Sequence, residues 1–239
     1  MFPLKDNLEC KTFPYVTVAL ILLNCLVTIW QTTMQAYTGS EAFHGPFWLI
    51  PSELIQSFGS GDGLAVVRET FTLFSYQFLH GGLMHLVGNM FFLYVVGRAT
   101  EARFGWPVYL AFYLIGGVVA GLAHVYFNLD AAIPLVGASG SVAAVMGAYM
   151  LFWPKAQIWV VMRLGPLPLP AKIPAWIFCA VWFALQIVAV MMSDGSPVAY
   201  WAHIGGFVFG AIAAGLWFLK FPTTTICYVP VEGCDDEKK

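Results

Sequence analysis

Residues 106–127 read WPVYLAFYLIGGVVAGLAHVYF, a run without a single Asp, Glu, Lys or Arg. It is apolar all round rather than striped, and at 1.5 Å per residue it is long enough for the roughly 30 Å of hydrocarbon in a bilayer. Five further stretches share this character, at about 14–34, 80–99, 136–153, 174–192 and 199–219. The whole chain of 239 residues is 59% apolar and 10% charged, with a mean hydropathy of +0.75. A soluble domain carries about 25% charge. So few charges exclude a soluble enzyme, a disordered chain and a nucleic-acid binder. The net charge of −2, from 11 basic and 13 acidic residues, offers no field to attract phosphate. Strand-type alternation is missing over any useful length, which excludes a β-barrel. The reading is an all-α membrane protein of six transmembrane helices.

Charge sets the orientation. Six spans put both termini on one side, with Lys5, Lys11, Arg98, Arg103, Lys155, Arg163, Lys172, Lys220, Lys238 and Lys239. Arg68 alone lies opposite, among Glu41, Glu53, Asp62, Glu69, Asp130 and Asp194. The cation-rich side is the cytoplasmic one. The chain divides into a cytoplasmic segment (1–13), a membrane domain (14–220) and a cytoplasmic tail (221–239), polar, acidic at its end and expected to be mobile. Within the outer loop, 35–79, Phe47-Trp48-Leu49-Ile50 with Leu54, Ile55 and Phe58 reads as an amphipathic surface helix. Ile158–Leu164 is too short to span, and Pro166, Pro168, Pro170 and Pro174 make the segment an interfacial inner loop. The first span reads as an uncleaved anchor, without a transit segment before it, and a bacterial cytoplasmic membrane is the expected location. No disulfide is expected, because Cys10, Cys227 and Cys234 fall on the reducing side. Two cysteines without further ligands do not make a metal site.

Polar groups inside a bilayer are costly, so each asks for a function. Span two holds His80, His85 and Asn89, span four opens with Gly137-Ala138-Ser139-Gly140-Ser141, and span six holds His203. These spans all enter from the outer side. His85, Ser139 and His203 each sit about one turn in, at a shared depth of roughly 5–8 Å. Gly206-x-x-x-Gly210 and the small residues Gly140, Ala143, Ala144 and Gly147 let spans four and six approach closely. His203 then has the pKa and the reach to take the Ser139 proton. Asn89, His85 and the Ser139 backbone N–H are available to an oxyanion, aided by the helix dipole. No acid accompanies His203, so the arrangement is a dyad. Asn24, His124, Asn128 and Gln186 read as polar glue between helices.

Four motifs, in order and on separate spans, resemble the rhomboid intramembrane serine proteases: His80-Gly-Gly-Leu-Met-His85-Leu-Val-Gly-Asn89, Glu101-Ala-Arg103 in the next loop, Gly137-Ala-Ser139-Gly140, and Ala202-His203-Ile-Gly-Gly206-x-x-x-Gly210. The resemblance covers about residues 14–220. It implies a six-helix bundle with a water-filled cavity open to the outside, Ser139 as nucleophile, His203 as base, and His85 and Asn89 in the oxyanion hole. It also implies no metal or cofactor, and structural roles for His80 and a Glu101/Arg103 salt bridge. Phe71-Thr72 stands where many members carry Trp-Arg. Ala143 stands where an aromatic often packs on the histidine, so another group must support His203.

The expected activity is a serine endopeptidase whose partners are transmembrane proteins and the bilayer, with no nucleic acid. Substrates are cut near the outer face. The alternatives are a rhomboid-like pseudoprotease that escorts membrane clients and a transporter. Loss of Ser or His marks the first, and buried midplane charges or broken helices mark the second; the sequence carries neither sign.

Overall fold

The computed structural model describes residues 2–38, 46–164, 167–192, 198–222 and 227–228. Glu41, Asp194, Cys234, Lys238, Lys239 and nearly all of the acidic tail lie outside these. In chain order the elements are β1 (Phe2–Asp6), β2 (Glu9–Cys10), α1 (Tyr15–Thr38), α2 (Pro51–Gly59), α3 (Gly63–Ser75), a 3-10 turn (Tyr76–Phe78), α4 (Leu83–Phe104), α5 (Trp106–Phe127), α6 (Ser139–Phe152), β3 (Gln157–Leu164), β4 (Leu167–Pro174), α7 (Ala175–Met192), α8 (Tyr200–Lys220) and β5 (Cys227–Tyr228).

Helices α1, α5, α7 and α8 are each long and apolar enough to cross a membrane. A fifth crossing is available if α3 with its 3-10 turn and α4, bent by 79° at their junction, count as one broken span. The bounds of two spans read from sequence need correction. Helix α4 starts after Gly82 and continues to Phe104, so Glu101 and Arg103 sit in its last turn rather than in a loop. Helix α6 has 14 residues, about 21 Å of helix. Residues 136–138 stay outside it because the Gly137 amide bonds the Tyr76 carbonyl at 2.9 Å instead of joining a helix. The outer-loop helix likewise begins at Pro51, whose fixed φ suits a first turn. Before it, Leu49 pairs with Leu135 in an isolated bridge.

Helix α6 is the centre of the molecule. Every residue from Gly140 to Tyr149 is buried, and α4, α5, α7 and α8 pack round it. Small residues make this possible. A Cβ added at Gly206 would lie 2.2 Å from the Gly140 carbonyl, and one at Gly210 would lie 1.8 Å from that of Ala144. In return, a Cβ on Gly147 would meet the Phe207 carbonyl at 2.3 Å. Helices α6 and α8 thus touch backbone to backbone.

At the other end of α6 the all-α expectation fails, and the segment read as an interfacial inner loop is ordered as strands. The apolar, Pro-rich segment forms a hairpin of β3 and β4, to which β1 adds in the order β1-β3-β4. Prolines are tolerated because β4 is an edge strand. Pro168, Pro170 and Pro174 share one parity, whose missing N–H groups would point away from β3. Lys5 and Lys172 both rest on the Trp159 ring, at 4.0 and 4.5 Å. Asp6 is buried beneath, paired with Arg98 and accepting the Tyr149 hydroxyl at 2.8 Å. Burial pushes its carboxyl above the usual range, against the pull of Arg98. Strand β2 pairs with β5 so that Cys10 faces Cys227, and the two form a disulfide. This corrects the expectation of no disulfide. Strand register brings together two sulfurs that sequence separates by 217 positions.

The expected Glu101–Arg103 ion pair is also replaced. Glu101 accepts from the backbone N–H groups of Val16 and Thr17 at 2.9 and 2.8 Å and from the Thr17 hydroxyl. It therefore caps α1, whose first-turn amides have no intrahelical acceptors. Arg103 donates to the Phe221 carbonyl, at the end of α8. Two side chains of one helical turn, pointing different ways, thus hold two different helices.

Candidate active site

The segment between α5 and α6 is fixed from both sides. The Tyr76 hydroxyl donates to the Gly117 carbonyl at 2.7 Å while its own carbonyl receives the Gly137 amide. Ser75 reaches the Phe47 carbonyl at 2.8 Å. Tyr76 and Ser75 anchor the outer loop in a chain that has Phe71-Thr72; the Thr72 hydroxyl makes only a local bond to Glu69.

Gly137 has a φ of +121°, a conformation that a side chain would strain. A Cβ there would also meet the His85 ring at 2.7 Å and the Asn89 amide nitrogen at 3.5 Å. His85 and Asn89, one turn apart on α4, thus lie directly against the residue two before Ser139. Asn89 is buried, and its Nδ2 has no acceptor among the described residues. An idle buried donor is costly, and this one lies beside the start of α6. His85 is exposed.

The start of α6 adds further donors. Ala138 occupies the N-cap and supplies no side-chain acceptor. The first amides of the helix, that of Ser139 included, precede its first i→i−4 bond, from Val142 to Ala138. The two serines of this turn have different fates. Ser141 is fully buried and donates to Gln77 at 2.9 Å, whereas Ser139 is partly exposed.

His203 comes to this point on α8. Its neighbours fix the approach: Ala202 presents its carbonyl 3.9 Å from where a Gly140 Cβ would be, and Gly206, one turn on, rests on Gly140 itself. The residues flanking His203 therefore touch the residue following Ser139. The His203 ring is partly exposed and within electrostatic reach of His85. No hydrogen bond joins the Ser139 hydroxyl to His203 among the described residues. Serine–histidine contacts are often loose before substrate binds.

The missing aromatic at Ala143 has replacements from elsewhere. Trp182 lies 5.5 Å from the His203 ring and Tyr200 6.4 Å away, edge on. Gln186 accepts or donates at His203 Nδ1 across 2.8 Å. Sequence reading places Gln186 among inert polar glue. Nothing in its sequence position sets it apart from the other lone polar residues of the spans.

His80 is buried and pinned. Gln31 of α1 takes its backbone N–H at 3.1 Å and donates to its carbonyl at 3.0 Å, while Thr28 meets its ring at 3.3 Å. It fixes the approach to α4, and its ring stands edge-on to His85 at 5.3 Å. No group of three or more metal-ligating side chains occurs among the described residues.

Residues 67–220 match the Rhomboid domain. The chain is 33% identical to Rhomboid-related protein 2 of Mus musculus over 145 residues, 58% of this chain and 45% of that protein. It is 31% identical to RHOMBOID-like protein 6, mitochondrial, of Arabidopsis thaliana over 169 residues, 69% and 50% of the two chains. Over 229 residues it is 25% identical to Rhomboid protease AarA of Providencia stuartii, covering 88% of this chain and 76% of that one. The chain spans about half the length of the first two relatives.

Proposed function

This chain belongs to the rhomboid family, and from that premise we propose that it is a membrane-embedded serine endopeptidase acting on transmembrane proteins. The observation that carries the reading is the buried, acceptor-free Asn89 amide, set with His85 against Gly137 beside the open N-terminus of α6. A resting packing motif has no use for such a donor set, and an acyl-transfer site requires one.

In this reading the Ser139 Oγ attacks the carbonyl carbon of the scissile peptide bond and His203 Nε2 takes the hydroxyl proton. The carbonyl electron pair moves onto oxygen, where Asn89, His85 and the Ser139 N–H receive it. Collapse of the intermediate expels the amine, which carries away the proton from His203, and water then releases the acyl group from Ser139 by the reverse steps. No cofactor enters these steps. A helical amide is shielded by its own hydrogen bonds, so the substrate unwinds locally, and small or helix-breaking residues near the cut favour cleavage.

The same reading takes the bundle as six crossings with both termini cytoplasmic. Two observations support it, while the Cys10–Cys227 bridge at the same end speaks against a reducing compartment there. Pairing of β2 with β5 puts the segments before α1 and after α8 at one end, as an even number of crossings requires. The cations Lys5, Arg98, Arg103 and Lys172 gather at that end too. With about 21 Å of helix against a core of roughly 30 Å, α6 is shorter than a full crossing, and the partial exposure of Ser139 and His203 leaves both within reach of water. The test is incubation of the purified protein with a model transmembrane substrate. Cleavage that disappears in Ser139→Ala supports the assignment, and cleavage that persists undiminished overturns it. A client-escorting pseudoprotease would bind the substrate and leave it whole.

A further inference from the structure

Building on that reading, we propose that Gln186 is a positioning residue, which fixes His203 as the Nδ1–H tautomer and thereby leaves Nε2 bare to act as base toward Ser139. The two ends of the Gln186 amide are distinguished by their partners. Its Nε2 lies 2.9 Å from the Trp182 carbonyl, one turn earlier on α7. A carbonyl only accepts, so that end is the NH2 group. The other end is then Oε1, which only accepts, and it lies 2.8 Å from His203 Nδ1. Nδ1 therefore carries the hydrogen, and a neutral imidazole has only one.

This arrangement is anchored rather than incidental. Gln186 is 8% exposed, and in a helix surrounded by lipid its amide has few other partners. Trp182 contributes twice: its carbonyl orients the amide, and its ring lies beside the imidazole at 5.5 Å. When Nε2 takes the Ser139 proton, the resulting imidazolium keeps its Nδ1–H on the Gln186 oxygen, whose dipole favours the positive charge. Nε2 then hands its proton to the leaving amine, and the Nδ1–H bond is unchanged throughout. Gln186 thus occupies the orienting place that a carboxylate holds in a triad, with a neutral group whose hydrogen bond is weaker than a charged one.

The experiment compares wild type with Gln186→Leu, which keeps the volume but removes the acceptor, and Gln186→Glu, which restores it. Three quantities are read: fluorophosphonate labelling rate at Ser139, kcat and KM on a transmembrane model substrate, and the 15N spectrum of the His203 ring. The expected result is a loss of about tenfold to a hundredfold in labelling and kcat for Gln186→Leu, within the roughly 10²–10⁴ contributed by a general base. KM stays within about twofold, and Gln186→Glu recovers most of the rate. In wild type the ring shows a protonated Nδ1 and an unprotonated Nε2, a distinction blurred or reversed in Gln186→Leu. Wild-type labelling rate with an unchanged ring spectrum in Gln186→Leu overturns the proposal. So does a wild-type spectrum with the proton on Nε2, which decides the matter even where the leucine variant does not fold. Wild type that fails to label at all overturns the protease reading instead, while the ring spectrum still reports on the Gln186 bond.

Discussion

Helix α8 has two neighbours that hold it in opposite ways. Against α6 it lies backbone on backbone, with Gly206, Gly210 and Gly147 leaving no room for a methyl group. Against α7 it is held only by side chains: Phe183 stacked on Phe207 at 4.7 Å, Trp182 beside His203, and Gln186 on Nδ1. The first contact sets where His203 is, and the second sets how its ring is turned. Position and orientation are therefore separable, and substitutions on the two sides fail differently.

The largest effect belongs to the α6 side. In Gly210→Val even the first added carbon overlaps the Ala144 carbonyl, a backbone atom that cannot step aside. A loss of more than about 4 kcal/mol is expected, among the severest of single substitutions, visible as failed folding or a collapsed melting temperature in detergent. Next comes Trp182→Ala on the α7 side. It removes the ring beside His203 while leaving the α6 contact whole, so kcat falls about tenfold, equal to roughly 1.4 kcal/mol of barrier, while the bundle still melts cooperatively. Phe183→Leu removes an aromatic stack remote from the ring nitrogens. It costs about 0.5–1.5 kcal/mol in thermal unfolding, with turnover nearly unchanged. The smallest effect sharpens the contrast within α8 itself. At Gly215 an added Cβ meets only the tip of Leu151, at 3.9 Å. Gly215→Ala is neutral or stabilising by up to about 1 kcal/mol, measured in the same melts. A large loss there would show that glycine content rather than backbone contact rigidifies this helix.

The two sides were also unequally legible in the sequence. Small residues four apart announce close helix contact, and Ser139 and His203 beside them are rare polar groups in an apolar run. The α6–α8 crossing could be read from such local patterns. The Gln186–His203 bond could not, because a lone glutamine in a span looks the same whether it meets a catalytic ring or a neighbouring carbonyl. Only the rotation of α7 about its axis distinguishes the two, and an all-round apolar helix encodes no such rotation. Glu101 and Arg103 illustrate the same limit. Opposite charges two residues apart suggest a pair, yet each side chain was claimed by a distant chain end, the start of α1 and the end of α8. The Cys10–Cys227 bridge and the β3–β4 hairpin depend on register between segments far apart in sequence. Alternation was no guide to the hairpin, since a Pro-rich edge strand hides its period.

The measurement that bears most directly on the dyad is fluorophosphonate labelling followed by peptide mapping, on wild type, Ser139→Ala and His203→Ala in parallel. A single adduct is expected on the peptide holding Ser139, absent in Ser139→Ala and slowed at least about a hundredfold in His203→Ala, in keeping with the loss of a general base. An adduct at another serine, or labelling as fast without His203 as with it, would contradict it.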